Sequence, residues 1–187
     1  TIEHVRGHHK KVGTHEDPAS AFLGESVYAF FRKTIIFSYV SAWKLEAERL
    51  RGKGTSIFSL QNTMILYTLA TGIYLVIVYA LTTPFVFLMY IIASVIAFHL
   101  LELVNYIEHY GLERLEKSPG KYEKVAVHHS WNSNTTLSRY FLFELTRHSD
   151  HHLHASKEYQ ILQNINDSPR HPTGYPGMIL LALIPPL

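Results

Sequence analysis

An uncharged run of 48 residues decides the fold, because Gly54 to Leu101 contains no Asp, Glu, Lys or Arg. The run reads GTSIFSLQNTMILYTLATGIYLVIVYALTTPFVFLMYIIASVIAFHLL. One transmembrane helix needs about 20 apolar residues, so this run has room for two. Pro84 divides it, since proline suits the first turn of a helix and disfavours helix immediately before itself. We predict a transmembrane hairpin over about residues 60–104, with helices at Leu60–Leu81 and Pro84–Val104; the alternative is a buried helical pair in a soluble protein.

Basic residues lie on both sides of the predicted hairpin, whereas the turn between its helices carries no charge. The flanking residues are Lys44, Arg49, Arg51 and Lys53 before the hairpin and Arg114, Lys117, Lys121 and Lys124 after it. The positive-inside rule therefore predicts that both flanks are cytoplasmic. Ahead of the hairpin, Ala19 to about Arg51 is aromatic and amphipathic, which favours a helix at the membrane interface or along a membrane bundle.

The composition limits which groups in this chain could bind a metal. The chain has 187 residues, which suits one domain, and it contains 13 histidines but no cysteine. Disulfides, zinc ribbons and iron–sulfur clusters are therefore excluded, and any metal must be held by imidazole and carboxylate groups. The net charge of +2 is small and its basic residues are scattered, so we expect no nucleic-acid surface.

Two segments carry closely spaced histidines. On a helix, His148, His151 and His152 at i, i+3 and i+4 share one narrow face, which is typical of a metal half-site. His4 and His8 can likewise face one way, whereas His9 is turned by about 100° from His8. The early histidines could therefore serve two ions, or the helix could end near Gly7; a basic tail is the alternative.

A third candidate lies at the end of the second span. His99, Glu102, Tyr106 and His109 follow one helical stripe, and polar residues in a span usually face the bundle interior. His109 falls at the cytoplasmic mouth, on the side where both clusters are expected. Farther along, Ser118-Pro119-Gly120 predicts a loop and Tyr140–His154 predicts one helix. The apolar run from Met178 is too short to span and stops at Pro185-Pro186.

Three histidine boxes in this chain resemble those of one family: Glu3-His4-Val5-Arg6-Gly7-His8-His9, Asn105-Tyr106-Ile107-Glu108-His109-Tyr110-Gly111-Leu112 and Arg147-His148-Ser149-Asp150-His151-His152. They resemble the integral-membrane alkane 1-monooxygenases (alkane hydroxylases), a branch of the membrane fatty-acid desaturase and hydroxylase superfamily. The likeness extends to Glu16–Ser20, His129–Ser133 and Gly174–Leu187. The box around Glu108 and His109 is much more specific to alkane hydroxylases than single histidine boxes are.

The resemblance implies an all-α, polytopic membrane helical bundle with a histidine-rich di-metal site on the cytoplasmic side of a bacterial inner membrane. It implies a non-haem di-iron monooxygenase that hydroxylates the terminal carbon of alkanes with O2. Electrons would come from rubredoxin and its NAD(P)H-dependent reductase. The ligands to the two iron ions that it implies are His4, His8, His9, His109, His148, His151 and His152. Five other histidines have no place in the boxes: His15, His99, His128, His154 and His171. His129 falls in a motif that the family shares, but the resemblance assigns it no role.

The family also has an earlier His-Glu-x-x-His box and further transmembrane helices on a stretch that this chain lacks. We therefore expect residues 1–187 to be a single partial hydroxylase domain, the C-terminal half, with an incomplete metal site and no activity alone. Its histidine-box regions are residues 1–20 and 105–160. The basic stretch Arg114–Lys124 could dock an acidic electron carrier, or could simply follow the positive-inside rule.

Carboxylates stand beside several of the predicted ligands. Glu3, Glu108 and Asp150 are candidate acceptors for imidazole N–H groups, each for a histidine of a different box, since neighbours on a helix do not face each other. Histidine suits iron, zinc, copper and nickel alike, so the residues alone do not choose the metal.

Two other functions stay open. One is a related desaturase, or a hydroxylase of aromatic hydrocarbons or fatty acids, against which Glu108 argues. The other is a non-enzymatic membrane metal-binding protein, which should carry histidines within its spans, where only His99 lies.

Overall fold

Residues 2–184 are described by a computed structural model in which helices form every large element. In chain order the helices are a π-helical turn at His4–His8, α1 at His9–Lys11, α2 at Val27–Gly52, α3 at Thr63–Leu81, α4 at Pro84–His109, α5 at Thr136–Phe141, α6 at His148–Leu153 and α7 at Tyr175–Ala182. Shorter elements are 3₁₀ turns at Val127–His129 and Tyr159–Ile161, and strands β1 at Glu116–Ser118 and β2 at Lys121–Tyr122.

The predicted hairpin is present as α3 and α4. Each begins with a capped turn: the Asn62 side chain accepts hydrogen bonds from the first turn of α3, and Thr83 caps α4 with Pro84 at its start. Among residues 2–184, these are the two helices long and apolar enough to cross a membrane. Their apolar stretches are not buried inside the protein; Val76, for example, is 67% exposed. This exposure excludes the soluble helical pair and confirms the predicted all-helical membrane fold class.

The second spanning helix is longer than predicted, and its last turns enter the protein core. Leu103, Tyr106 and Ile107 are buried there against Val27 and Phe30 of α2. The Tyr106 hydroxyl donates a hydrogen bond to the Glu25 carbonyl, just before α2 begins, at 2.7 Å. α7 packs on the same part of α4. One end of α4 is therefore rigidly packed between α2 and α7 while its other end is exposed, so the end that carries His109 is fixed in place.

The prediction of one helix over Tyr140–His154 is wrong. The chain forms α5 and α6 with a break between them, where Phe143 and Glu144 adopt positive φ angles of 49° and 64°. Such angles cost free energy for residues other than glycine, so neighbouring contacts must hold them. The Arg139 guanidinium donates two hydrogen bonds of 2.8 Å to the two carboxylate oxygens of Glu144 and fixes the turn. The break lets α6 point its histidines independently of α5.

One smaller difference concerns a loop region. The predicted loop at Ser118-Pro119-Gly120 is the tight turn of an antiparallel hairpin formed by β1 and β2, with Gly120 at φ 71°. The C-terminal apolar run forms only the eight residues of α7, as its length predicted. The predicted stop at Pro185-Pro186 lies outside the described residues.

Candidate metal centre

Seven histidines meet at the packed end of α4 and form two adjacent groups. The buried group contains His8, His109, His148 and His152, and the half-exposed group contains His4, His9 and His151. Within each group the candidate ligand nitrogens all lie within 4.8 Å of one another. All seven histidines that the sequence indicated are therefore brought together, and each of the first and third boxes contributes to both groups.

The π-helical turn explains how the first box supplies both groups. A π-helix closes hydrogen bonds from i to i+5 instead of i+4, and the His9 N–H donates to the His4 carbonyl in this way. The Nε2 atoms of His4 and His9 consequently lie 3.1 Å apart. The His8 ring stacks on the His4 ring with centroids 5.3 Å apart, but the candidate ligand nitrogen of His8 belongs to the buried group and that of His4 to the half-exposed group. Gly7 permits the turn, because a Cβ there would lie 2.0 Å from Glu3 Oε1.

The third box divides in a similar way on α6. His148 and His152, one helical turn apart, have their Nε2 atoms at 3.0 Å, whereas His151 belongs to the half-exposed group. The three imidazoles of this box were expected to form one half-site, but the structure divides them between the two groups. His8–His9 and His151–His152 are two adjacent pairs, and each pair places one ring in each group.

His109 enters the buried group from the last residue of α4. Its Nε2 lies 3.0 Å from His148 Nε2. Its Nδ1 faces the carbonyl oxygen of His129 at 3.3 Å, which fixes the ring orientation. His129 is itself held: its Nδ1 accepts a hydrogen bond from the Ala126 N–H, and its Nε2 donates to Glu123 at 3.1 Å. His129 therefore has a positioning role through its backbone, although Glu123, His128 and His129 also form a small cluster by themselves.

Asp17 orients His8, a relationship that the sequence did not reveal. Asp17 Oδ2 accepts a hydrogen bond from His8 Nδ1 at 2.8 Å and another from the Ser20 hydroxyl at 2.6 Å, and all these side chains are buried. Burial opposes the charged form of His8, but the Asp17 carboxylate outweighs it and raises the pKa of His8. Asp17 thus favours positive charge on this ring, from a proton or from a cation at Nε2. In the sequence, Asp17 stands within Glu16–Ser20, a stretch included in the likeness to alkane hydroxylases, and a carboxylate in such a stretch close to a histidine box is the signal that could have found it.

The predicted orienting carboxylates have different surroundings. Glu108 Oε1 lies 3.4 Å from His148 Nδ1, so this carboxylate of the second box faces a histidine of the third, as expected. Glu3 lies beside the first box, and its Oε1 accepts a hydrogen bond from Ser41 at 3.2 Å. Asp150 instead accepts hydrogen bonds from His154 and Lys157 and from a backbone N–H. The structure therefore gives Asp150 other partners than a predicted ligand.

The donor set fits a metal cation. Burial lowers the pKa of His148 and His152 well below 6.5, and it lowers the pKa of His4 to about 3 and of His9 to about 4. These rings are therefore neutral, and neutral imidazole is the form that binds metals. His8 Nε2 is buried without a hydrogen-bond partner among the described residues. A cation between the rings would satisfy such converging nitrogens, since donors about 2.1 Å from one ion lie about 3–4 Å apart.

A mostly apolar cavity of about 820 Å³ opens onto both groups. His4 and His151 line it together with His8 and His148, so histidines from both groups form one end of the cavity. Its walls include apolar residues of α4 and of the segments around α5 and α7: Ala97, Phe98, Leu101, Val104, Leu142 and Ile179. A molecule in this cavity would meet hydrocarbon along its length and imidazole at one end.

The other histidines have local partners. His15 stacks on Phe22, and His99 packs edge-on against Phe31. His171 stacks on Trp131 at 5.4 Å and 13°, and burial lowers its pKa to about 4. None of these three belongs to the two groups, so their exclusion from the predicted ligand set is consistent with their positions.

Fold and site together define a helical membrane protein with a histidine-rich centre suited to a metal. A comparison with protein families matches residues 1–178 to the fatty acid desaturase family. The chain therefore belongs to the fatty acid desaturase family, which fits the two spanning helices and the histidine boxes.

Comparison with curated proteins refines this assignment. Alkane 1-monooxygenase 2 of Pseudomonas aeruginosa is 45% identical over 187 residues, all of this chain and 49% of that protein. Alkane 1-monooxygenase 1 of Alcanivorax borkumensis is 42% identical over 184 residues, 98% of this chain and 46% of that protein. The xylene/toluene monooxygenase hydroxylase component of Pseudomonas putida is 33% identical over 186 residues, 100% of this chain and 49% of that protein. The resemblance to alkane 1-monooxygenases is confirmed, and the chain spans about half the length of the curated relatives it matches.

Proposed function

We propose that this chain carries the larger share of the metal centre of a non-haem di-iron alkane 1-monooxygenase, which hydroxylates a terminal carbon with O2. The observation that carries the proposal is the pair of neighbouring histidine groups at one end of an apolar cavity. Two groups of converging imidazoles suit two metal ions, and an apolar cavity suits a hydrocarbon. The identity of 38–45% to alkane 1-monooxygenases supports this reaction within the family.

Each histidine has a role in this proposal. The buried group would hold one iron ion with His8, His109, His148 and His152, and the half-exposed group would hold the second with His4, His9 and His151. When bound, iron supplies the activation of dioxygen that hydroxylation of an unactivated carbon requires. The protein's own part is to supply neutral donors, to fix ring orientation through Asp17 and the His129 carbonyl, and to keep water away. No side chain needs to act as a nucleophile.

The cavity provides substrate positioning. Its α4 wall runs from Ala97 to Glu108, which are about 16 Å apart along the helix, and it ends at the histidines. An extended alkane aligned with this wall would place its terminal methyl group beside the centre. The exposed flanks of α3 and α4 face lipid in this proposal, so an alkane dissolved in the bilayer reaches the cavity without crossing water.

Electron delivery would involve the surface near the metal groups. We propose rubredoxin, supplied by an NAD(P)H-dependent reductase, as the donor. The β1–β2 hairpin exposes Lys117 and Lys121, and Arg114 binds its far strand by donating to the Glu123 carbonyl. A basic surface would attract an acidic carrier by electrostatic steering. If these residues serve only membrane topology, the electron-transfer rate will not change with salt concentration.

The proposed location is the inner membrane of a bacterium, with several spans and the metal groups on the cytoplasmic side. The basic residues that flank α3 and α4 support this orientation through the positive-inside rule. Cysteines introduced at exposed Lys121 and at the α3–α4 turn test it. Only the turn should react with a membrane-impermeant reagent added outside intact cells.

Metal analysis tests the centre directly. The full-length protein, purified from membranes, should contain about two iron ions per molecule, and His152→Ala and His9→Ala should each remove about one. His15→Ala is the matched control, since His15 is a histidine outside both groups, and it should leave the iron content unchanged. Iron content that is the same in all three variants would contradict the proposal.

Product analysis distinguishes the related activities. For the full-length protein, the proposal expects O2-dependent conversion of octane to 1-octanol, at a rate well above conversion of xylene. The similarity to the xylene/toluene monooxygenase component keeps aromatic side-chain hydroxylation as the second candidate. Preference for xylene would favour that second candidate, and a desaturated product would indicate the desaturase alternative.

A further inference from the structure

The helix α7, which lies beyond all three histidine boxes, is linked to the buried histidine group by the Tyr175 side chain through Glu108. The Tyr175 hydroxyl donates a hydrogen bond to Glu108 Oε1 at 2.8 Å. The same oxygen lies 3.4 Å from Nδ1 of His148. Tyr175 and Glu108 are 1% and 3% exposed, so neither group exchanges this partner for bulk water. Three side chains from three helices thus form one buried chain that ends at a candidate ligand.

We propose that Tyr175 is a positioning residue for the metal centre, acting through Glu108 on His148. This inference rests on the proposed function, because it assigns His148 as a ligand. The Tyr175 hydroxyl holds the carboxylate in the rotamer that faces the imidazole. Oε1 of Glu108, which faces Nδ1 of His148, favours a proton on that nitrogen and so leaves Nε2 free to bind a cation.

Two features of the site support an effect of Glu108 on His148. His148 Nδ1 is buried and has no aligned hydrogen-bond partner among the described residues, so the facing carboxylate is its available stabilising group. His148 also has a central place in the buried group, because its Nε2 lies 3.0 Å from both His109 Nε2 and His152 Nε2. A change in the ring orientation of His148 therefore changes the geometry of the whole group.

The position of Tyr175 is itself well defined. Its backbone N–H donates a hydrogen bond to the Ser138 hydroxyl at 3.0 Å, and its ring packs in the core with residues of α2 and α4. This anchoring fixes the hydroxyl at the start of α7. It also means that Tyr175 could be a packing residue only, which the experiment must distinguish.

The experiment measures binding of Co²⁺ to the buried group alone. His9→Ala removes a donor from the half-exposed group, so that Co²⁺ absorption in this background reports the buried group. In this background Tyr175→Phe removes the hydroxyl and keeps the ring. We expect a 10- to 100-fold loss of Co²⁺ affinity, the usual effect of removing a partner that orients a ligand.

Tyr28→Phe is the matched control. The Tyr28 hydroxyl also makes one hydrogen bond, to the Leu183 carbonyl at 2.9 Å, which joins α2 to the far end of α7 away from the histidines. We expect its Co²⁺ affinity to stay within about twofold of the parent, although both variants lose a tyrosine hydrogen bond. Equal affinities for the two variants would show that Tyr175 serves packing only.

A second variant tests the route of action. Glu108→Gln should lower Co²⁺ affinity about as much as Tyr175→Phe, and the double variant should be no weaker than Glu108→Gln alone, because both changes break one chain of contacts. Additive losses, or an unchanged affinity in Glu108→Gln, would overturn the inference. If the parent protein binds no Co²⁺ at all, the proposed metal centre fails, and this outcome differs from a failure of the Tyr175 assignment.

Discussion

Asp17 Oδ2 accepts a hydrogen bond from His8 Nδ1 at 2.8 Å in a site from which water is excluded. The two residues belong to different segments, because His8 ends the π-helical turn and Asp17 follows α1 in a tight turn. The bond determines which nitrogen of His8 carries a proton, and it leaves the other nitrogen facing three more histidines. A carboxylate that orients a histidine in this manner is a common partner of protein metal ligands.

Replacing this carboxylate should weaken metal binding. We expect Asp17→Asn to lower Co²⁺ affinity about 10- to 100-fold, since the amide has the same shape but lacks the charge that favours a cation on His8. Glu16→Gln is the control, because Glu16 is the exposed neighbour and its ion pair with Lys11 lies at the surface. Metal titration of both variants measures the difference. Equal affinities in the two variants would remove Asp17 from the centre.

Glu46 joins three separate parts of the chain and should matter for stability. Its buried carboxylate accepts hydrogen bonds from Arg6 of the π-helical turn, from Arg49 of α2 and from the Thr63 N–H at the start of α3. We expect Glu46→Gln to lower the free energy of unfolding by about 2–3 kcal/mol, less than for a fully buried pair because both arginines are partly exposed.

Thermal denaturation in detergent measures this loss. Glu48→Gln on the exposed face of α2 is the control, and it should change the free energy of unfolding by less than about 0.5 kcal/mol. A Glu46→Gln protein as stable as the control would show that these contacts contribute little.

The wall of the cavity far from the histidines should determine which alkanes fit. Ala97 lies about 16 Å along α4 from Glu108, and its small side chain leaves space at that end. We expect Ala97→Phe to reduce turnover of long alkanes at least tenfold and to spare short ones, because the added ring occupies the space of the distal carbons. Competition between octane and hexadecane measures the effect.

Ala93→Phe provides the control for this change. Ala93 is exposed on the same helix, one turn away, and does not line the cavity among the described residues. It should not alter the ratio of the two products. A similar shift in both variants would indicate an effect on the membrane helix instead of on the cavity.

His171 should make stability depend on pH. Burial lowers its pKa to about 4 in the folded protein, against about 6.5 when unfolded, so the unfolded chain binds more protons between these values. The neutral, buried His171 therefore contributes fully to the free energy of unfolding above pH 6.5, and this contribution is lost as the pH falls toward 4. We therefore expect His171→Gln to lose less stability than the parent between pH 7 and pH 5.

Melting temperatures across this pH range provide the measurement. His128→Gln, a substitution of an exposed histidine, is the control for the loss of one histidine. If His171→Gln and His128→Gln have the same pH profile, burial of His171 does not affect stability.

Much of the fold could be predicted because its signals are local. The uncharged run with Pro84 inside it indicated both spanning helices, since length and composition alone decide whether a segment can cross a bilayer. Pro84 also marked where the second helix begins, because proline suits the first turn of a helix. The helix over Tyr140–His154 could not be predicted correctly, because the positive φ angles of Phe143 and Glu144 depend on an ion pair with Arg139 that local propensity does not describe.

The sequence by itself determined the membrane hairpin, the residue types of the centre and the seven histidines that meet there. Only the tertiary structure decided how these histidines divide, because the π-helical turn pairs His4 with His9 and not with His8. It also decided which groups orient them. Asp17 and Tyr175 lie outside the histidine boxes, and the packing of α2, α4 and α7 brings Tyr175 to Glu108, a relationship that no spacing along the chain encodes.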